Sequence, residues 1–147
     1  MYRWFSCDLS SDEISVVNQY GKATVIYELE VMAAVLAVVT LGSSWKSADV
    51  VLFCDNEAAL AALVSGKTDS PFVSFMLDIL QEWEERCDVK LWCERVPSHS
   101  NPSDAPSRGQ LDGLQPSMRL DPDIPGHLLR FACGHEKSDL GVGVFSI

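Results

Sequence analysis

Asp49-Val-Val-Leu-Phe-Cys-Asp55 is a short run of β-branched and aromatic residues between two acidic ones. The run has the length of a β-strand. Because apolar and polar residues do not alternate in it, it predicts a central strand that is covered on both faces. Asp55 stands where this strand ends. Functional sites of open α/β sheets gather at the carboxyl ends of strands, so Asp55 is the first candidate site residue.

A helix is predicted before this strand, from Ile26 to about Gly42. The segment is rich in helix formers, and it carries Glu28 and Glu30 in its first turn, where the helix dipole favours negative charge. Beyond that turn the segment is apolar nearly all round, which predicts burial on more than one side. Residues 1–6 resemble the end of a strand.

Two helices and a second strand are predicted after Asp55. They are a helix over 58–64 that Gly66 ends, a helix from Ser70-Pro71 to about Cys87, and a strand over Val89–Val96 that ends at Pro97. Residues 109–147 contain several prolines and glycines and no sustained period, so they are expected to form a linker or partly ordered tail with a short helix at 126–132. We therefore expect one α/β domain over residues 1–108, followed by this tail.

The composition fits a compact domain and excludes several classes of protein. The chain has 147 residues, of which 47% are hydrophobic and 22% charged. A net charge of -10 speaks against a protein that holds nucleic acid through a basic surface. The apolar stretch Val31–Leu41 is too short to span a membrane. The five cysteines are scattered, which is typical of reduced thiols in an intracellular protein.

Three acidic residues lie at the ends of predicted elements. Glu30 is at a helix start, Asp55 at a strand end, and Asp104 in the loop after the second strand. Each has an ordinary structural interpretation on its own. Glu30 favours the helix dipole, Asp55 helps to cap the following helix, and Asp104 is a turn residue.

Taken together, the segments around these three acidic residues resemble the ribonuclease H domain of reverse-transcribing elements. The resemblance is closest to retrotransposon polyproteins in which this domain follows the polymerase. The resemblance covers roughly residues 5–108. It is carried by Glu30-x-x-Ala33 at a helix start, Asp55-Asn56-x-Ala58-Ala59-Leu60 after one strand, and Asn101-Pro102-x-Asp104 after the other. It implies an α/β fold with a mixed central sheet flanked by helices.

The resemblance also implies an active site of four carboxylates that binds two divalent ions, Mg²⁺ or Mn²⁺. Glu30, Asp55 and Asp104 match three of these carboxylates. The family's first aspartate lies on a first strand within a hairpin, whereas Asp8 of this chain matches a connecting segment. The chain is therefore expected to be N-terminally truncated, with that strand lost or lying upstream, and to be poorly active or inactive by itself.

Further residues have two interpretations each. His99 lies where family members carry a mobile histidine that helps the product leave, but it is also an ordinary exposed loop residue. Asn56 and Arg108 are candidates for contacting the substrate backbone, or else a helix N-cap and a solvated helix end. Glu28 rivals Glu30 as the metal ligand. Residues two apart on a helix point about 200° apart, so only one of them can face the site.

The sequence thus predicts a ribonuclease H-type endonuclease that cleaves the RNA strand of RNA–DNA hybrids during reverse transcription. Its expected partners are the hybrid and an upstream reverse transcriptase polymerase domain, and no membrane. The alternative on the same fold is a catalytically inactive remnant or a module that binds nucleic acid or protein. A third hypothesis is a small acidic interaction domain in which the three acids lie far apart.

Overall fold

A computed structural model describes residues 3–42 and 45–136 of the chain. Helices and strands both occur in this part, so the chain is an α/β protein, as predicted. The elements are α1 (Ser11–Val17), α2 (Ile26–Leu41), β1 (Asp49–Cys54), α3 (Glu57–Ser65), α4 (Pro71–Cys87), β2 (Lys90–Arg95), α5 (Asp104–Ser107) and α6 (Ile124–Glu136). Short 3-10 turns occur at Ser98–Ser100 and Pro116–Met118.

The two strands pair in parallel, in a register that runs from Asp49 opposite Lys90 to Cys54 opposite Arg95. Parallel strands need a crossover connection, and α3 and α4 supply it here. Both strands therefore end at the same edge of the sheet, where Asp55 lies. The larger mixed sheet that the resemblance implies is not found in residues 3–42 and 45–136, where the sheet has two strands.

Local capping signals set the ends of α3 and α4. The Asn56 side chain accepts a hydrogen bond from the backbone N–H of Ala59 at 3.0 Å, and Gly66 ends α3 in the left-handed conformation, with φ of 66°. Ser70 caps α4 in the same way, with Pro71 in the first turn. The predicted positions of α2, α3, α4, β1 and β2 are confirmed, because each observed end lies within one or two residues of the predicted one.

An apolar core lies between α2, α4 and the inner face of the sheet. The buried core residues of these two helices are Val31, Met32, Val35, Leu36, Val38, Phe72, Val73, Met76, Leu80, Trp83 and Cys87. The inner-face residues Val50, Leu52 and Leu91 pack against them. This core fixes α2 across the sheet, and so it fixes the N-terminal turn of α2 relative to the end of β1.

The outer face of the sheet is exposed, contrary to prediction. Val51 and Phe53 of β1 are 55% and 58% exposed, and Trp92 on the neighbouring strand is 65% exposed. The prediction that β1 is covered on both faces is therefore wrong for the part of the chain that the structure describes. An apolar strand sequence does not show whether the group that covers its second face belongs to the same polypeptide.

The N-terminal segment contains a helix that was not predicted. Helix α1 begins with a reciprocal capping box, in which Ser10 and Glu13 each bond the other's backbone N–H. The expected strand end in residues 1–6 is reduced, within the described residues, to an isolated bridge between Trp4 and Arg119. Residues 1–2 of that expectation lie outside the described residues.

Helix α6 lies in the segment that was expected to be a linker or partly ordered tail. The helix is longer than the predicted helix over 126–132, and its Phe131 ring packs edge-on against Phe72 of α4. The remainder of that expectation, residues 137–147, lies outside the described residues. None of the described helices is long and apolar enough to cross a membrane.

Candidate metal-binding site

Glu30 is the fifth residue of α2, just beyond the first turn in which it was predicted, and it lies near enough to Asp55 at the carboxyl end of β1 for the two charges to interact. Burial raises the pKa of Glu30, and the negative charge of Asp55 raises it further. Both residues are half-buried. Two interacting carboxylates are more stable when a proton or a bound cation offsets their repulsion, which makes the pair the best candidate site in the described residues.

Glu28 faces a different environment. Its side chain is almost fully buried, and its carboxylate accepts hydrogen bonds from the Lys22 ammonium and from the Ser70 hydroxyl, the latter at 3.1 Å. Burial would raise the pKa of Glu28, but the bonds from Lys22 and Ser70 outweigh burial and lower it. Glu28 therefore ties the segment before α2 to the start of α4, while Glu30 is the glutamate that faces Asp55.

The opposite pKa shifts predict opposite effects of two matched substitutions. Above its ordinary pKa of 4.5, ionised Glu28 stabilises the fold, and this stability is lost as the pH falls through the lowered folded-state value. Glu28→Gln should therefore lower the free energy of unfolding at pH 7 by about 1.5–3 kcal/mol, the range for hydrogen bonds to charged groups.

Glu30→Gln should instead raise the stability at pH 7. Its folded-state pKa is raised above 4.5, so ionised Glu30 destabilises the fold above that value, and the effect fades as the pH falls below both values. Urea unfolding of both variants at pH 7 and at about pH 4 measures the two effects. A loss of stability in Glu30→Gln at pH 7 would contradict the proximity of Glu30 and Asp55.

Asp104 is engaged by a neighbour on its own helix. The guanidinium of Arg108 donates to the Asp104 carboxylate at 2.9 Å across one turn of α5. Across residues 3–42 and 45–136, no three His, Cys, Asp or Glu side chains lie close enough together to hold a metal ion. The structure thus brings two of the three predicted carboxylates together and leaves the third in an ion pair with Arg108.

The other predicted site residues follow the carboxyl ends of β1 and β2 in the chain. His99 is exposed in the turn that follows β2. The side chain of Asn56 caps α3, the structural role that the sequence left open for it. Arg108 is exposed apart from its bond to Asp104.

Two further residues at the carboxyl end of the sheet were missed by the sequence reasoning. The buried thiol of Cys54 has a pKa raised by burial and by the charges of Glu30 and Asp55, so it stays protonated. Arg95 ends β2 opposite Cys54 and forms an ion pair with Glu57 at 3.0 Å. The same sequence signal could have identified both residues, because each lies at the carboxyl end of a predicted strand.

The carboxylate pair fits a hard divalent cation, because Mg²⁺ and Mn²⁺ favour carboxylate oxygens. Asp104 does not complete a ligand set while Arg108 holds it. Fold and site together define an α/β domain with a carboxylate pair at the carboxyl end of a parallel strand. Compared with protein families, curated proteins and solved structures, the chain matches none of them.

Proposed function

We propose that this chain is a ribonuclease H-like domain in which Glu30 and Asp55 bind a divalent metal ion for hydrolysis of the RNA strand of RNA–DNA hybrids. One observation carries the proposal: the charge of Asp55 acts on a half-buried Glu30 that comes from another element. Carboxylates at this edge of a parallel sheet suit metal-assisted phosphodiester hydrolysis.

Each residue of the proposed site has a distinct role. Glu30 and Asp55 hold the metal, Mg²⁺ or Mn²⁺, and Asp104 joins them when Arg108 releases it. The bound metal supplies an activated water and neutralises charge on the leaving oxygen. His99, exposed after β2, assists product release, and Arg108 is then free to contact a phosphate of the hybrid.

The substrate is recognised by its shape and its 2′-hydroxyl groups rather than by its sequence. The net charge of -10 makes the grip on a polyanion weak. An attached reverse transcriptase polymerase domain supplies the missing affinity by raising the effective concentration of the hybrid.

Metal-dependent stabilisation tests the site without requiring activity. At a Mn²⁺ concentration of about ten times Kd, the free energy of unfolding should rise by roughly 1.4 kcal/mol. Glu30→Gln and Asp55→Asn should abolish this increment while raising the stability of the metal-free chain, since each removes the mutual repulsion. Asp78→Asn, which changes an exposed carboxylate on α4, is the matched control. An equal Mn²⁺ increment in Asp55→Asn and in the unsubstituted chain would refute the site.

Cleavage of a labelled RNA–DNA hybrid in Mg²⁺ tests the reaction. Any activity of the chain should fall at least about 100-fold in Asp55→Asn, a loss of about 2.7 kcal/mol of transition-state stabilisation. Asp78→Asn should cleave as the unsubstituted chain does. Activity that Asp55→Asn leaves unchanged would sink the assignment.

A second candidate function is a non-catalytic module on the same fold, and the Asp104–Arg108 ion pair favours it. A carboxylate already neutralised by a guanidinium is a poor metal ligand. This candidate predicts that Asp104→Asn leaves the Mn²⁺ increment unchanged, and that the chain binds the hybrid in Mg²⁺ without cutting it. A smaller increment in Asp104→Asn supports the nuclease instead.

A further inference from the structure

One edge of the sheet has unpaired hydrogen-bonding groups. The Lys90 N–H donates to the Ala48 carbonyl, and the Val96 N–H donates to the Cys54 carbonyl. The main-chain groups of the even-numbered residues in this stretch therefore face β2. The N–H and C=O groups of a strand residue lie on the same side, and this side alternates along the strand. The groups of Asp49, Val51 and Phe53 therefore point to the other edge, where no strand pairs within the described residues.

An apolar surface adjoins this edge. Val51 lies opposite Trp92 in the register, and Phe53 is on the same face of the sheet. All three side chains are more than half exposed. Parallel strands are normally covered on both faces, and contiguous exposed apolar surface marks interaction sites. The face and the free edge together form one surface, which we call the β1 surface.

The charges around the β1 surface are mostly acidic. Asp49 and Asp55 stand at the two ends of β1, and Glu94 lies opposite Phe53 on the exposed face. Lys90 is the basic residue of that face, opposite Asp49. The whole chain also carries a net charge of -10. These acidic surroundings favour a basic binding partner and disfavour a nucleic acid or a second acidic chain.

We propose that the β1 surface binds an extended polypeptide segment with apolar residues at its centre and Lys or Arg towards its ends. The segment adds to the sheet as a strand, with main-chain hydrogen bonds to Asp49, Val51 and Phe53. Its apolar side chains cover Val51 and Phe53, and its basic side chains face the carboxylates at the ends of β1. The proposal requires neither metal binding nor nuclease activity, and it shares one residue, Asp55, with the proposed metal site.

The test uses two synthetic peptides, acetyl-Lys-Thr-Val-Thr-Val-Thr-Lys-amide and the same peptide with Glu in place of both Lys. Titration is followed by ¹⁵N chemical shifts of the full 147-residue chain. The lysine peptide should bind about tenfold more tightly than the glutamate peptide, since two surface ion pairs of up to 1 kcal/mol each separate them. The largest shifts should fall on the amides of Asp49, Val51 and Phe53.

Three variants sharpen the test. Val51→Pro removes an N–H at the free edge while keeping the ladder to β2, and should reduce binding at least tenfold. Asp49→Lys, an exposed change that leaves the strand intact, should abolish the preference between the peptides, because it reverses the charge at one of the two ends of β1. Val64→Lys alters an equally exposed apolar residue on α3 and should change nothing.

Several outcomes would overturn the proposal. Equal affinity for both peptides, or no binding of either, excludes a basic extended partner. Tighter binding of a ten-nucleotide oligothymidine, weakened by Val51→Pro, would assign the surface to stacking of nucleic acid bases. Concentration-dependent dimerisation that Val51→Pro abolishes would assign it to a second copy of the chain. Asp49→Lys keeps the proposal testable even if Val51→Pro fails to fold.

Discussion

Replacing Phe131 with Ala is expected to lower the free energy of unfolding by about 3–5 kcal/mol, the range for removing a buried aromatic ring. Phe131 on α6 is 1% exposed. Its ring centroid lies 5.0 Å from that of Phe72, at an interplanar angle of 88°, and 5.4 Å from that of Phe75. The substitution leaves a cavity against α4 and removes two aromatic contacts.

Leu129→Ala, two residues away on the same helix, is the control for this substitution. Leu129 is largely exposed, so its truncation should change stability by no more than about 0.5 kcal/mol. Guanidinium unfolding of both variants measures the difference. If Phe131→Ala were as mild as Leu129→Ala, α6 would not contribute to the core, and the domain would end near residue 108, where the sequence placed its boundary.

Replacing Gly42 with Ala is expected to destabilise the fold by about 1–3 kcal/mol, as overpacking of a dense core does. A Cβ atom at Gly42 would lie 2.2 Å from Cζ2 of Trp83 and 2.9 Å from Cε3 of Trp45. The backbone of Gly42 has φ of -83°, which any residue adopts, so the effect is steric. The rigid indole of Trp83, buried in the core, has no room to move.

Gly134→Ala makes the same chemical change in open space. Gly134 is helical, and within residues 3–42 and 45–136 no atom outside the adjacent helix backbone lies within 4 Å of a Cβ built there. Because Ala favours the helix over Gly, stability should rise by up to about 1 kcal/mol. Thermal unfolding of the two variants should therefore give shifts of opposite sign. A rise in Tm for Gly42→Ala would show that the two tryptophans can rearrange.

Local signals explain why much of the fold could be predicted. Capping and helix-breaking residues set the ends of α3 and α4, and each acts on backbone no more than three residues away. They are Asn56, Gly66, Ser70 and Pro71. The capping box of Ser10 and Glu13 is an equally local signal for α1, and sequence reasoning overlooked it.

The assignment of roles to Glu28 and Glu30 could not be made locally. Helix geometry shows only that the two side chains diverge. The direction depends on Ser70, which lies 42 residues after Glu28 in the sequence and donates to its carboxylate. The packing of segments that are distant in the sequence therefore decides whether Glu28 or Glu30 faces Asp55. The Asp104–Arg108 ion pair is different, because it joins residues four apart on one helix, a local spacing that sequence reasoning overlooked.

The parallel pairing of β1 and β2 has a consequence for the order of folding. The two strands are separated in the chain by α3 and α4, so their ladder requires closure of a long loop before any interstrand bond forms. We expect α3 and α4 to dock on α2 first, because their packing brings the strands together. Amide hydrogens of the ladder should consequently gain protection after those of α2 and α4, which makes the sheet the last part of the core to assemble.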